Sequence, residues 1–333
     1  MNILFYCPFK FNLNSKHLSS LGGIESLNID LSRELAKKNL KIFLATHCNK
    51  EIKKKNLTNI PIKKILSNQS DLKFDVIISS NDSNIFNRFK LSKKILWMHN
   101  SLPIEKSIRK NKFFSIIRNK ITVVFVSNYL KNKTSKLYLF NKRTVIKNFL
   151  SRNFQIKKLN YDRKQIIVWS VQRNKGLNET IQMWIKKIYP YNPKLRFCIY
   201  GIDKNKYKNQ LKYLNKFNIN FFGRIKKNKL KNIYSKSLAM ICLGYDETFC
   251  LNALEANACG LPLLTFGKTA LKDYAINNFN SYIIKDYNDL SKKIHSISNK
   301  KINKKIIINS FNKSKEYRLN EIVKSWIRLI KRI

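Results

Sequence analysis

Residues 246–262, DETFCLNALEANACGLP, place three carboxylates among apolar and small residues in a chain with 67 Lys+Arg and only 19 Asp+Glu. A carboxylate on a basic surface needs no explanation. Asp246, Glu247 and Glu255, set among Leu, Ala and Phe, need partners, because an unpaired buried carboxylate is costly. Glu247 and Glu255 stand eight residues apart, a little over two helical turns, so both face one side if Glu247 sits at the helix entrance. Cys259-Gly260 with Pro262 marks the helix end, and LPLLTF reads as the next strand. Carboxylates projecting from such a helix can accept the hydrogen bonds that sugar hydroxyls donate. The structural alternative is that Glu247 caps the helix and Glu255 pairs with a core Lys or Arg.

Three other stretches carry residues of the right chemical type. In SVQRNKGLNETI, Arg173 and Lys175 occupy a strand-to-helix turn eased by Gly176, and a cation beside a helix N-terminus suits a diphosphate. Solvated surface charge is the competing reading in so basic a chain. Gly22-Gly23, in SSLGGIESLNIDLSREL, lies between a first strand and a helix, where glycines let backbone N–H groups approach an anion; a plain tight turn fits equally well. His99 ends the strand-like LWMHNSLP, as a sugar-contacting or a structurally satisfied imidazole. His17, His47 and His295 have no comparable setting. The six cysteines form no CxxC pair and do not alternate with His, which argues against a zinc site or a disulfide framework. They read as small buried hydrophobes in a reducing compartment.

The elements that must position these residues follow one rhythm. NILFYCP, KIFLATHC, DVIISS, KILWMHN and VVFVSN read as strands separated by helical patterns such as IESLNIDLSRELAKKN. After the polar stretch NFLSRNFQIKKLNYDRKQ the rhythm resumes with IIVWSVQ, RFCIYG, INFFG, LAMICLGY, LPLLTFG and SYIIK. Apolar strands alternating with helices predict parallel sheets in doubly wound α/β units. The break divides the chain into 1–155 and 156–315. The final segment, 316–333, is a helix with Ile322, Trp326, Leu329 and Ile330 on one face. No repeat of 20 to 50 residues recurs, which excludes a solenoid. In doubly wound folds ligands bind at the carboxyl ends of the strands, so two such domains predict a site in a central cleft.

At 333 residues, 44% hydrophobic and 12% aromatic, the chain can build two real cores. The net charge of +48 is spread along its whole length, so it attracts nucleic acid, anionic lipid and phosphorylated small molecules alike. No apolar run approaches the roughly 18 residues that span a bilayer, and MNILFYCPF lacks the basic lead and long apolar core of a signal peptide. A cytoplasmic protein is expected, peripheral on the inner face of the cytoplasmic membrane if the basic, apolar stretch SIRKNKFFSIIRNK at 107–120 meets an anionic leaflet. An ordinary helix with a basic outer face is the alternative for that stretch.

ETFCLNALEANACGLPLLTF resembles the Glu-x7-Glu signature of family-4 glycosyltransferases, the retaining group of GT-B fold also called glycosyl transferases group 1. The glutamate spacing agrees together with Phe249, Ala256, Ala258, Gly260 and Pro262. LGGIESLNIDLSREL, VFVSNYLK, VIKNFL, IYGID and INFFGRIKKNKLKNIYSKS resemble further family segments, so the likeness runs from residue 1 to about 330. It implies a nucleotide-sugar donor domain at 156–315, an acceptor-side domain at 1–155 and a closing helix crossing back to the first domain. It further implies that Glu255 holds the ribose, Glu247 the transferred sugar and Lys175 the diphosphate, with N–H groups near Gly23 and from Phe249 through Cys250 to Leu251. His99 then contacts the donor sugar near the reacting carbon. The family usually has Arg five residues before the phosphate-binding Lys; here Ser170 stands there and Arg173 lies two before Lys175.

The expected activity is a retaining, metal-independent transfer of hexosyl type. A sugar moves from the nucleotide to a glycan or lipid-linked acceptor, in lipopolysaccharide or other cell-surface polysaccharide synthesis. No Asp-x-Asp motif is present, no cofactor or metal is expected, and no covalent nucleophile is evident. Three rivals remain: an inactive relative acting as a partner protein, a nucleotide-sugar epimerase, and a basic nucleic-acid-binding protein. The last lacks helix-turn-helix, zinc and aromatic-strand signatures, so no specific nucleic acid is expected as a partner.

Overall fold

The computed structural model describes residues 1–14, 21–67, 72–156, 158–170, 175–299 and 303–333. The chain divides into two compact units, the first Met1–Ser151 with Arg318–Ile333, the second Arg152–Tyr317. Each is an α/β unit around a predominantly or wholly parallel sheet.

Among the described residues the first unit holds eight strands: β1 Asn2–Tyr6, β2 Lys41–Thr46, β3 Ile52–Lys54, β4 Leu57–Pro61, β5 Val76–Ser80, β6 Lys93–Met98, β7 Ile121–Phe125 and β8 Lys142–Val145. Their order is β3-β4-β2-β1-β5-β6-β7-β8, with only β3–β4 antiparallel. Every residue of β5 and β7 is buried, as expected of parallel strands covered on both faces. The sequence reading missed β3, β4 and β8, whose IKK, LTNIP and KRTV are broken by polar residues. β3 and β8 are sheet edges, where charged side chains keep the strand from pairing further. In β4 the buried Asn59 donates to the Leu44 carbonyl at 2.8 Å and accepts from the Leu13 N–H at 3.1 Å, so its amide is satisfied inside the sheet.

Helix Gly23–Ala36 follows the first strand, burying Leu27, Leu31 and Leu35. Helix Leu319–Arg332 packs beside it and buries Leu319, Ile322, Val323, Trp326, Leu329 and Ile330. The Trp326 ring meets Trp97 of β6 edge to face at 4.9 Å between centroids, and Trp97 in turn lies 4.5 Å from the His99 ring. The last helix thereby supports the strand that carries His99.

Among the described residues the second unit has β9 Ile166–Trp169, β10 Arg196–Tyr200, β11 Ile219–Gly223, β12 Ala239–Ile241, β13 Leu263–Thr265 and β14 Ser281–Ile283. They are ordered β11-β10-β9-β12-β13-β14 and all parallel. From β9 the chain winds outward to β11, then returns to β12 on β9's other side. The connections after β9 and β12 therefore diverge and leave a crevice at the carboxyl ends of these two strands. In the first unit the same reversal falls between β1 and β5. Among the described residues no helix is long and apolar enough to cross a membrane.

Trp326→Ala is expected to cost about 3–5 kcal/mol, the range for emptying a large buried aromatic site, and Trp326→Phe distinctly less. Urea unfolding with hydrogen exchange at β6 checks this; an alanine variant as stable as the parent contradicts the packing role.

Candidate functional site

The crevice beside β9 and β12 gathers most of the candidate residues. Trp169 and Ile241 pair at the last rungs of the two strands. The connection after β9 leads through Ser170 to Lys175 and Gly176, and the connection after β12 is the loop 242–250. Arg173 lies outside the described residues. Gly176 has φ of +83°, and a Cβ there would stand 2.7 Å from Tyr287 Oη and 2.8 Å from Leu243 Cδ1, so both the left-handed turn and the close packing demand glycine. Helix Leu177–Met183 starts directly after it.

Lys175 Nζ donates to Glu247 Oε1 at 2.9 Å, with the two side chains only 16% and 17% exposed. This answers the need for a partner at Glu247. The carboxylate is not the cap of the following helix: Cys250, in the left-handed region at φ of +63°, is the cap residue of helix Leu251–Ala258. Glu247 instead stands in the loop three residues before the cap, anchored by its own carbonyl accepting from the Ala270 N–H at 3.1 Å. Tyr274 Oη lies 3.0 Å from the carbonyl oxygens of both Phe249 and Cys250, and burial raises the Tyr274 phenol so that it stays a donor. The Phe249 ring is buried against Tyr274 and Tyr317, so its side chain belongs to the core. Cys250 Sγ lies 3.4 Å from Cys242 Sγ as a free thiol. Asn252, in the first turn after Leu251, donates to the Ser170 carbonyl and ties the two connections together.

Glu255 projects from the middle of helix Leu251–Ala258 and is 3% exposed. Burial pushes its carboxyl above the usual range, and Lys227, with Nζ 3.4 Å away, pulls it back. Lys227 opens helix Lys227–Lys236 and went unnoticed in the sequence, where it is one of several cations in RIKKNKLK. The two carboxylates thus have separate lysine partners. Asp246, at φ of +51°, shapes the same loop.

The remaining candidates belong to the first unit. Gly22 is the cap residue and Gly23 the first residue of helix Gly23–Ala36. A Cβ at Gly22 would stand 2.6 Å from the Glu25 carboxylate, so an acid of the chain itself lies beside this helix end, where the dipole favours it. Asn28 of the same helix donates to Ser80 Oγ at the end of β5 at 2.9 Å. His99 follows β6; its N–H donates to Asn81 Oδ1 at 2.7 Å. Burial pushes its imidazole down to about 3, so at neutral pH it is an uncharged ring. Among the described residues no three His, Cys, Asp or Glu side chains converge on a point that a metal ion could occupy.

Residues 151–313 match the model of the family described as Glycosyl transferases group 1. No curated protein matches the chain. Among solved structures, sucrose-phosphate synthase from Thermosynechococcus elongatus superposes with a TM-score of 0.77 at 14% identity, covering 99% of this chain and 98% of that one. WaaG, a glycosyltransferase involved in lipopolysaccharide biosynthesis, gives 0.72 at 11% identity over 99% and 100% of the two chains. Anabaena HepE in complex with UDP and glucose gives 0.72 at 12% identity over 100% of each. The chain therefore has the fold of the GT-B glycosyltransferases, two doubly wound α/β units, and the match to the group 1 model falls on the second.

Because Glu255 is raised in the fold relative to its free value of 4.5, the stability tied to its proton is fully present below that value and is lost as pH rises through the folded pKa. Removing Lys227 deepens the loss. Lys227→Met is expected to cost about 3 kcal/mol at pH 7.5, as for a broken buried ion pair, and markedly less at pH 5. Urea unfolding at the two pH values checks it, and an equal cost at both refutes the pairing.

Proposed function

We propose, on the premise of a group 1 domain at 151–313, that the protein is a retaining, metal-independent glycosyltransferase of hexosyl type that uses a nucleotide-sugar donor. The observation that carries this reading is the Lys175–Glu247 pair of 2.9 Å at the crevice where the order of the second sheet reverses. A cation and an acceptor-only carboxylate in contact there match a donor that is anionic at its diphosphate and rich in hydroxyl donors at its sugar. Anabaena HepE was solved with UDP and glucose, which favours a donor of that class here.

In transfer, positive charge develops on the sugar and negative charge on the departing diphosphate. Lys175 and the N-terminus of helix Leu251–Ala258 are positive and fixed before the reaction, so they stabilise the second charge without reorganising. The backbone N–H groups of Phe249, Cys250 and Leu251, and those at Gly22 and Gly23, are assigned to the same anion, with Arg173 as a further cation. Glu247 exchanges its lysine for sugar hydroxyls and Glu255 receives the ribose. His99, held neutral, contacts the transferred sugar by accepting or donating one hydrogen bond.

The acceptor assigned here is a glycan or a lipid-linked glycan of cell-surface polysaccharide or lipopolysaccharide synthesis, met at the anionic inner face of the cytoplasmic membrane. Supporting this, residues 107–120 form parts of two short helices, Ile104–Arg109 and Lys112–Arg118, separated at Asn111 by a left-handed residue. Ile108, Phe114 and Ile117 are exposed among their Arg and Lys neighbours, a composition that suits an anionic leaflet.

Thermal-shift measurements with UDP, GDP, ADP and their sugars test the donor site. A ligand at a hundred times its Kd should stabilise the protein by about 2.7 kcal/mol, and Lys175→Ala and Glu255→Ala should abolish the shift. With the stabilising donor and membrane extract, Lys175→Ala should lower transfer by roughly 10²–10³-fold. Loss of nucleotide binding without change in transfer, or no response to any nucleotide, refutes the reading. For the membrane, Phe114→Ser with Ile117→Ser should release the protein from phosphatidylglycerol vesicles in a sedimentation assay; undiminished binding counts against this surface.

A further inference from the structure

At the amino-terminal edge of the second sheet, opposite the crevice of Lys175 and Glu247, lies a cavity of about 220 Å³. Leu238 and Pro262, which immediately precede β12 and β13, line it, together with Ile306 and Ile307 of helix Lys304–Ser314. Its charged lining residues are Arg163 and Lys293, and no acid accompanies them among the described residues.

Arg163 is nine-tenths buried. Its Nη1 donates to the carbonyls of Tyr234 and Ser237 at 2.8 and 3.2 Å, and its Nη2 to those of Cys259 and Gly260 at 3.1 and 3.2 Å. It thereby closes the carboxyl ends of helices Lys227–Lys236 and Leu251–Ala258. The Nε–H has no acceptor among the described residues. A buried guanidinium with four bonds to neutral carbonyls and one donor unused has no counter-charge in contact, an arrangement that an anion relieves. Helix Lys304–Ser314 begins at the same cavity with Asn303 as its cap, directing the positive end of its dipole there. Lys293 stands with Nζ 4.8 Å over the Tyr282 ring, within the lining and able to turn toward a ligand.

We infer that this cavity binds a small organic anion, with its phosphate or carboxylate on Lys293 and the start of helix Lys304–Ser314, beside the uncompensated charge of the Arg163 guanidinium, and its apolar body against Leu238, Pro262 and the two isoleucines. The volume is below the roughly 300 Å³ of pockets for drug-sized molecules, so the body is a single ring or a short chain. The site is separate from the nucleotide-sugar reading and stands whether or not that reading holds. Through Arg163 it abuts both helices that hold the Lys227–Glu255 pair.

Calorimetric titration of the full chain with phenyl phosphate, benzoate and inorganic phosphate tests the inference. Phenyl phosphate or benzoate is expected to bind at least tenfold more tightly than inorganic phosphate. Lys293→Gln should weaken that binding about tenfold, the scale of one charged hydrogen bond. Ser296→Phe, which fills the cavity, should abolish it, and Lys175→Ala should leave it unchanged. Lys293 and Ser296 are half-buried on an outer helix, so both variants are expected to fold; circular dichroism confirms it, and the lysine variant suffices alone. No binding at millimolar ligand, binding indifferent to Lys293→Gln, or binding lost in Lys175→Ala overturns the inference.

Discussion

A carboxylate placed inside a domain must keep a cation beside it, and the second unit is organised around that constraint. Desolvation of Glu247 and Glu255 is offset by Lys175 and Lys227, each at hydrogen-bonding distance or close to it. Meeting those distances fixes the start of two helices and one long loop relative to the sheet. Lys175 must stand directly after β9, Glu247 in the loop after β12, and Lys227 at the first turn of its helix. In a chain with net charge of +48 lysines are available everywhere, so what is scarce is the carboxylate. The acids held in this interior are therefore the ones with specific positions to fill.

Topology makes the pairing possible. With β9 flanked by β10 and β12, connections that are 72 residues apart in sequence at Lys175 and Glu247 leave the same edge of the sheet. The loop is then held through its backbone, by Tyr274 on two of its carbonyls and Ala270 on a third, while Asn252 of the following helix bonds to Ser170. Arg163 performs the same service at the far end, gathering four carbonyls from two helix ends. A site that stabilises charge gains from such rigidity, since dipoles already aligned need not reorganise when charge develops.

The first unit shows the other solution to burying an ionisable group. Burial drives His99 to the neutral form, and the tryptophan pair formed with the closing helix packs against it. A neutral imidazole offers one donor and one acceptor, which suits recognition of hydroxyls and not neutralisation of phosphate.

The strands that build both sheet centres were legible in the sequence, because a parallel strand covered on both faces must be a nearly unbroken apolar run; β7 and β9 are such runs. The edge strands β3 and β8 were not, since polar residues that protect an edge look like loop. The acids at 247 and 255 could be singled out by type and surroundings, and the local order of strand, turn and helix around Lys175 and Gly176 was equally readable. Their partners were a different matter. Lys227 and Arg163 are two among 67 cations, and nothing local distinguishes a lysine that reaches a buried glutamate from one that faces water. Whether Glu247 would cap its helix or pair across the sheet was likewise undetermined by spacing. Those choices belong to contacts between segments distant in the chain, which arise only when the sheet order brings the ends of its strands together.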